Sequence, residues 1–377
     1  NKNINEKTIY EILDSSNNNV RWAFIKILLG GLRVGMSSHL VKKALALYGN
    51  KKLSEIDMVW NGLFPPYKEL LLWLECKGPY PEVNNSDIFH SLLLAHSLDI
   101  EQLNSINIKD YYAEYKWDGI RVQVVSENYL TKIYSRSGEE ITKAFPEIKI
   151  YTKKLSVLDG ELLVKNGEKI LPFNILQKRI NKKNPTKKEI LNTPAVIKLY
   201  DILFLNNCDL RKKKQSSRRK ILQNWYNKNK SNCLDFSESI AFKNIEELKG
   251  IYYKLESNEI IEGLVLKNKS SLYIAGRKKN IWYKLKKNPK LLDAILMYAQ
   301  RGHGKRSSYY SDYTFGVWSN NSVIPIAKAY SGYTNEELEK IDKFIRGNII
   351  ASFGPVKEVK KALVVELAFD SIHKSNR

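Results

Sequence analysis

The sequence predicts a multidomain protein of α and α+β type. A helical domain spans residues 1–97, an α+β domain 98–288 and a small β-barrel of the OB type 289–377. Three observations predict this. The chain has 377 residues, too many for one ordinary core. Its local pattern changes twice, to alternating strands near Ile108 and to shorter strands near Pro289. The turn cluster "PYPEVNNSD" separates the first two textures.

In the first segment, "RWAFIKILLGGLRVG" runs as a helix toward Gly30, Gly31 and Gly35, and "SSHLVKKALALYG" has serine caps and a helix stop at Gly49. This texture extends to about Ser97, and by itself it indicates no more than a small packed domain. From Ile108 to about Asn288, "EYKWDGIRVQVV", "YLTKIYSRSGE", "LSVLDGELLVKNGEKI", "AVIKLYDILFLNN", "IIEGLVLKNKS" and "NIWYKLKK" read as strands rich in β-branched and aromatic residues. Asn166-Gly167 is a hairpin signal. Helices fall around Asn174–Ile180, Arg218–Lys228 and Ile245–Ser257. The basic run "LRKKKQSSRRK" reads as a solvated helix face or a nucleic-acid contact. Beyond Pro289, "LLDAILMYAQR", "YTFGVWSN", "VIPIAKAY" and "ALVVELAFD" are short strands, and one helix at Asn335–Arg346 interrupts them, which suits a small Greek-key barrel.

Charge narrows the function. Lys and Arg exceed Asp and Glu by 62 to 40, a net +22 with pI near 9.6, and 22 Tyr and 7 Trp accompany them. A surplus of that size favours a polyanionic partner, nucleic acid before membrane, because no basic helix has a clean apolar face. No run of 18 or more apolar residues occurs, and "NKNINEKTIYEILDSSNNN" is no signal peptide. Cys76, Cys208 and Cys233 form no C-x-x-C, so neither a disulfide framework nor a zinc site is expected, in keeping with a reducing interior. His303 and His373 stand far from any second ligand and read as surface or loop histidines.

Chemistry enters at "YYAEYKWDGIRVQVV", two strands interrupted at Lys116-Trp117-Asp118-Gly119. The pattern K-x-D-G-x-R over Lys116, Asp118, Gly119 and Arg121 is weak alone. Five further elements follow in order: "SRSGE" with Arg136, "DGE" with Glu161, "LYDILFLN" with Tyr200, "EGLVLK" with Glu262 and Lys267, and "WYKLKK" with Lys284 and Lys286. Taken singly, Tyr200 reads as a buried strand residue, Glu161 as a hairpin acid, Arg136 as a loop cation and the lysines as a solvated face. The ordered set reverses that judgement.

This ordered set resembles the ATP-dependent DNA ligases of the covalent nucleotidyltransferase superfamily. "KWDGIRVQ" is similar to the nucleophile motif, "RWAFIKILLGGLRVGMSSHLVKKALA" to the preceding DNA-binding domain and "YAQRGHGKRSSYYSDYTFGVW" to the start of the OB domain. The part before Lys116 looks closest to bacterial helicase-associated ligases. The resemblance implies a helical DNA-binding domain, a nucleotidyltransferase (adenylation) domain and an OB domain that together encircle duplex DNA. It implies sealing of 3′-OH/5′-phosphate nicks through a lysine–AMP intermediate and a DNA-adenylate, with ATP as co-substrate and Mg²⁺, or Mn²⁺ in its place, as metal. Lys116 is then the nucleophile, and Glu114 helps select adenine. Arg121 and Arg136 contact ribose and phosphate or the nick 5′-phosphate. Glu161 holds ribose, with a metal role. Tyr200 stacks on adenine, Glu262 binds metal, and Lys267, Lys284 and Lys286 bind the α-phosphate. A lysine protonated at pH 7 is no nucleophile, and neighbouring cations with partial desolvation are the means of activating it. A monomer acting on nicked duplex DNA is expected, away from membranes and intracellular (nucleoid-associated if bacterial), alongside a repair helicase or nuclease.

Two rival readings differ in class. An RNA ligase or mRNA-capping guanylyltransferase shares the K-x-D-G core but gives the helical segment no role. A non-catalytic DNA-binding module would have no need of Lys116, Glu262 and Lys284 together. The family's last basic motif would begin about where "FDSIHKSNR" ends the chain, and Asn1 falls inside the usual DNA-binding domain. The expectation is a fragment that seals pre-adenylated nicks better than it charges itself with AMP.

Overall fold

The computed structural model describes residues 6–28, 37–182, 184–302 and 307–370. Gly30, Gly31, Gly35, His303 and His373 lie outside them. The chain divides into two compact units, residues 1–249 with 260–285 and residues 250–259 with 286–377.

The first unit opens with helices Glu6–Ser15, Asn18–Leu28, Ser38–Tyr48, Leu53–Val59 and Lys68–Leu74. The Ser37 hydroxyl accepts from the Leu40 amide, and the Gly49 amide donates to the Leu45 carbonyl at 3.0 Å. Ala46, Ile56, Leu70, Trp73 and Leu74 form the small core that joins the last three helices. The helices stop at Leu74, short of the Ser97 expected. Leu93–Leu94 and His96–Ser97 are already strands, paired with Gly276–Arg277 and with Trp282–Lys286.

Two sheets follow. The first runs in the order Leu234–Phe236, Ala195–Leu205, Ser156–Asn166, Ile120–Glu127, Leu130–Ser135. The second runs Ser239–Ile240, Tyr111–Trp117, Ile261–Asn268, Trp282–Lys286, His96–Ser97. Alternation along the strands of the first sheet separates two cores. Val122, Val124, Leu158 and Leu162 face helices Phe173–Ile180 and Gln215–Lys228 through Leu176, Leu222 and Trp225. Val125, Val157 and Leu203 face the other way, against Phe89, Leu93 and Trp282, and Trp282 belongs to the second sheet. The strand from Asn166 turns at Gly167, φ +58°, and pairs with Lys169–Ile170. The helix from Ile245 ends at Tyr253, shorter than expected.

The Lys116 stretch is not a hairpin. Tyr111–Trp117 belongs to the second sheet and Ile120–Glu127 to the first, so Asp118-Gly119 carries the chain across from one to the other. A Cβ on Gly119 would lie 2.6 Å from the Leu162 carbonyl oxygen and 2.8 Å from Glu161 Cγ, so only glycine lets the crossover lie this close to the Glu161 strand.

The second unit is an antiparallel, OB-like sheet. Its long strand Lys290–Arg301 pairs with Val364–Phe369 along its first half, with Val356–Val359 near its end, and with Tyr310–Ser319 on its other side. Helix Asn335–Gly347 packs on it through Leu338 and Ile345, capped by Thr334 and Glu337. Sharing one strand between two partners curls a sheet toward a barrel.

Backbone also approaches closely at Gly160, where a Cβ would meet Ile197 Cγ2 at 2.5 Å and the Lys198 carbonyl at 2.9 Å. Gly160→Ala should therefore cost about 1–3 kcal/mol, the usual penalty of overpacking, read as a lower urea midpoint for the first unit.

Candidate active site

Lys116 stands near the end of its strand, half-buried, and its Nζ is ion-paired with Glu262. A bulge sets this up. Pairing passes from Trp117–Ile261 to Lys116–Gly263, so Glu262 is the extra, unpaired residue, and Gly263 takes φ +146°. The bulge aims the carboxylate at the lysine, where a regular strand would alternate it away. The Glu262 strand lies between the Lys116 strand and the strand of Lys284.

Glu161 faces this pair from the first sheet, in register with Arg121 on one side and Lys198 on the other. Burial pushes its carboxyl up to about 8, against the opposing pull of Lys116 and Arg121 and reinforced by the Glu262 and Asp159 charges. Arg121 does not reach outward. Its Nε and Nη2 donate to Asp159 at 3.0 and 2.6 Å, and its Nη1 donates to the Leu93 carbonyl at 2.6 Å. Burial pulls its pKa down, but Asp159 outweighs this and it remains well above the usual guanidinium range. Asp159 also accepts from the Tyr273 hydroxyl at 2.8 Å.

The second cluster surrounds Tyr200, which also occupies a bulge, since Asp159 pairs with Asp201 and Gly160 with Leu199. The rings of Tyr200 and Trp282 meet edge-on with centroids 6.0 Å apart. Lys267 Nζ lies 4.5 Å from each ring centroid and donates to the Tyr200 carbonyl at 3.0 Å. Glu114 is its counter-ion at 3.0 Å and also accepts from Arg219 Nη1 at 2.8 Å and Ser237 Oγ at 2.7 Å. Burial lowers the Lys267 pKa, with Glu114 and Asp201 pulling it back up. Behind this, Arg218 and Asp201 form a bidentate pair, both fully buried, at 2.8 and 3.0 Å.

The reading of the basic run is thereby corrected at two positions, while its Lys212, Lys213, Lys214 and Lys220 are exposed. Arg218 and Arg219 are neither a solvated face nor a DNA contact. They are buried counter-ions of Asp201 and Glu114, because carboxylates placed inside must be met by donors.

The structure thus gathers Lys116, Glu262, Glu161 and Arg121, and beside Arg121 it gathers Tyr200, Lys267 and Glu114. Arg121 lies 5.8 Å from the Tyr200 ring centroid and joins the two clusters. Lys284 is partly buried on the same strand face as Trp282. Arg136 is exposed on the turn after Leu130–Ser135. Lys286 belongs to the second unit, its Nζ 3.8 Å from Asp370. Sequence reasoning missed Asp159, Lys198, Arg219, Ser237, Tyr273 and Trp282. Asp159 and Trp282 sit inside the quoted motifs, and their alternation with Glu161 and Lys284 was the available signal. Arg219, Ser237 and Tyr273 carried none. Among the described residues, no group of three His, Cys, Asp or Glu could hold a metal by itself, and no helix is long and apolar enough to cross a membrane.

Comparison with known proteins gives a consistent set. The family described as ATP dependent DNA ligase domain matches residues 93–286. The chain is similar to the "Probable DNA ligase" of Koribacter versatilis (strain Ellin345), 28% identical over 94% of this chain and 65% of that protein. It is similar to the "DNA ligase" of Methanocaldococcus jannaschii, 26% identical over 93% of this chain and 65% of that protein. The chain thus spans 65% of the length of these two relatives. The solved structure of Pmar-Lig_PreS3 shares the fold with TM-score 0.54 and 18% identity, over 96% of this chain and 82% of that one.

A free glutamate titrates near 4.5 and Glu161 near 8, so between these values the folded chain holds a proton that the unfolded chain has released. Folding stability attributable to Glu161 therefore falls as pH rises through that window. Glu161→Gln abolishes the fall. The gap in urea midpoint between variant and native chain should widen in the variant's favour from about pH 4 to about pH 9.

Proposed function

The chain belongs to the ATP-dependent DNA ligase family, and from that premise we propose that it seals 3′-OH/5′-phosphate nicks in duplex DNA through a lysine–AMP intermediate. The observation that carries the reading is the contact of Lys116 with a carboxylate that a bulge has turned toward it.

The chemistry runs in three steps. Lys116 Nζ gives up a proton, for which Glu262 is the carboxylate in contact, and attacks the α-phosphorus of ATP. An N–P bond forms, the bond from the α-phosphorus to the bridging oxygen breaks, and pyrophosphate leaves. The nick 5′-phosphate then takes AMP from Lys116. Finally the 3′-OH attacks that phosphate and AMP departs. No bond energy is lost to hydrolysis so long as the site keeps water out, and the two facing sheets serve that end.

The remaining residues take roles by position. Tyr200 is the stacking ring for the purine, and the buried Trp282 backs it edge-on. Glu114 acts from beneath, by holding Lys267 and Arg219, since its carboxylate already accepts from three donors. Arg121, fixed by Asp159, gives a stationary positive charge beside Glu161. Glu161 takes the ribose. Lys267 and Lys284 balance phosphate charge, and the exposed Arg136 meets the nick 5′-phosphate. The two carboxylates Glu161 and Glu262 suit Mg²⁺, which binds through one or two carboxylates and substrate phosphates. That ion, when bound, neutralises charge on the phosphates. The N-terminal helices and the OB-like unit add DNA-binding surface, and backbone contacts make affinity fall steeply with salt.

After incubation with ATP and Mg²⁺, mass spectrometry should find an AMP adduct on a peptide containing Lys116. Lys116→Ala should lose both the adduct and the sealing of a nicked duplex. Sealing by Lys116→Ala at the native rate would overturn the assignment.

A further inference from the structure

We propose that Lys198 is a positioning residue for the nucleophile, acting through the indole of Trp117; this rests on the reading of Lys116 given above. Lys198 lies on the Ala195–Leu205 strand of the first sheet, paired in register with Glu161. Its ammonium stands 4.6 Å from the centroid of the Trp117 ring, on the second sheet, and is ion-paired with Asp235. Lys198 is mostly buried, whereas Asp235 is 42% exposed. The ammonium is therefore held both by the carboxylate and by the indole. A desolvated cation over an indole face is among the stronger contacts of this kind.

Trp117 immediately follows Lys116 and immediately precedes the Asp118-Gly119 crossover. Its ring is also met edge-on by Tyr115, centroids 6.1 Å apart at 76°. The main chain at Trp117 pairs with Ile261, next to the bulge that presents Glu262. Lys198 is thus a clasp from the opposite sheet on the residue that follows Lys116 at the end of its strand. Removing it leaves Lys116, Glu262 and Tyr200 in place but lets the strand end sample more positions. A nucleophile that is less often aligned attacks more slowly, while a nucleotide held elsewhere binds as before.

The test compares native chain, Lys198→Met, which keeps the apolar stem, and Lys198→Arg, which keeps a cation over the ring. Single-turnover formation of the Lys116–AMP adduct is followed against ATP concentration. In Lys198→Met the saturating rate should fall about tenfold with half-saturation by ATP within about twofold of native, and Lys198→Arg should recover most of the rate. In 5-fluorotryptophan-labelled protein, the ¹⁹F resonance of Trp117, assigned by its loss in Trp117→Leu, should move in Lys198→Met and return in Lys198→Arg. Trp117→Leu should slow adduct formation to a similar degree, and the double variant should be no slower than either, the mark of one shared contact. An unmoved resonance, an unchanged saturating rate, or a loss confined to half-saturation by ATP each overturns the proposal while the ligase reading stands. If the native chain neither takes up AMP nor seals a pre-adenylated nick, the ligase reading fails and this role falls with it. Should Lys198→Met not fold, the Arg and Trp117→Leu variants carry the same comparison.

Discussion

A carboxylate or an ammonium is expensive to bury unless the opposite charge is buried with it, and this constraint organises the first unit. Glu114 on the second sheet accepts from Arg219 on helix Gln215–Lys228, from Ser237 beyond the first sheet's edge and from Lys267 on its own sheet. Lys267 in turn donates to the carbonyl of Tyr200 on the first sheet. Asp159 fixes Arg121, and Asp201 fixes Arg218. Each cation is held by groups from more than one element, so the two sheets and the covering helix are tied together at these points. Removing one partner strands the other, which is why such sites tolerate little change.

The same pairing explains how a basic chain can keep a well-defined interior. Much of its charge lies outside, but some of it is structural. Arg218 and Arg219 come from a run whose composition suggests solvent or DNA, and both are consumed inside the fold. Fixed charges of this kind need not reorganise when a polyphosphate arrives, and that preorganisation is the main electrostatic means by which a site lowers a barrier. The bulges at Glu262 and Tyr200 add the geometry, taking two residues out of the strand's alternation.

Much of the fold was legible because local patterns agreed with it. The serine-capped helix closing at Gly49, the Asn166-Gly167 turn and the helix at Asn335–Gly347 followed from periodicity and turn chemistry, whereas the first strands after Pro289 run to 12 and 10 residues and are not short. The end of the helical region was not legible. Residues from Leu93 are drawn into strands by partners near Gly276 and Tyr283, and no local pattern carries that information. The candidate site divides in the same way. Lys116, Glu161 and Glu262 lie in motifs with a chemical reason, whereas Arg219, Ser237 and Tyr273 join through contacts across 105, 123 and 114 residues of sequence.

By itself the sequence determined the order of textures, the excess of positive charge and the collinear motifs, because each of these is a property of residues close together along the chain. Tertiary structure decided that Lys116 stands near the end of a strand at a crossover between sheets, that Glu262 meets it, and that Glu114 and Arg121 are saturated by internal partners. Those outcomes depend on strand register and on which charges are buried together. A bulge of one residue reverses which face a side chain takes, and neither composition nor motif spacing records it.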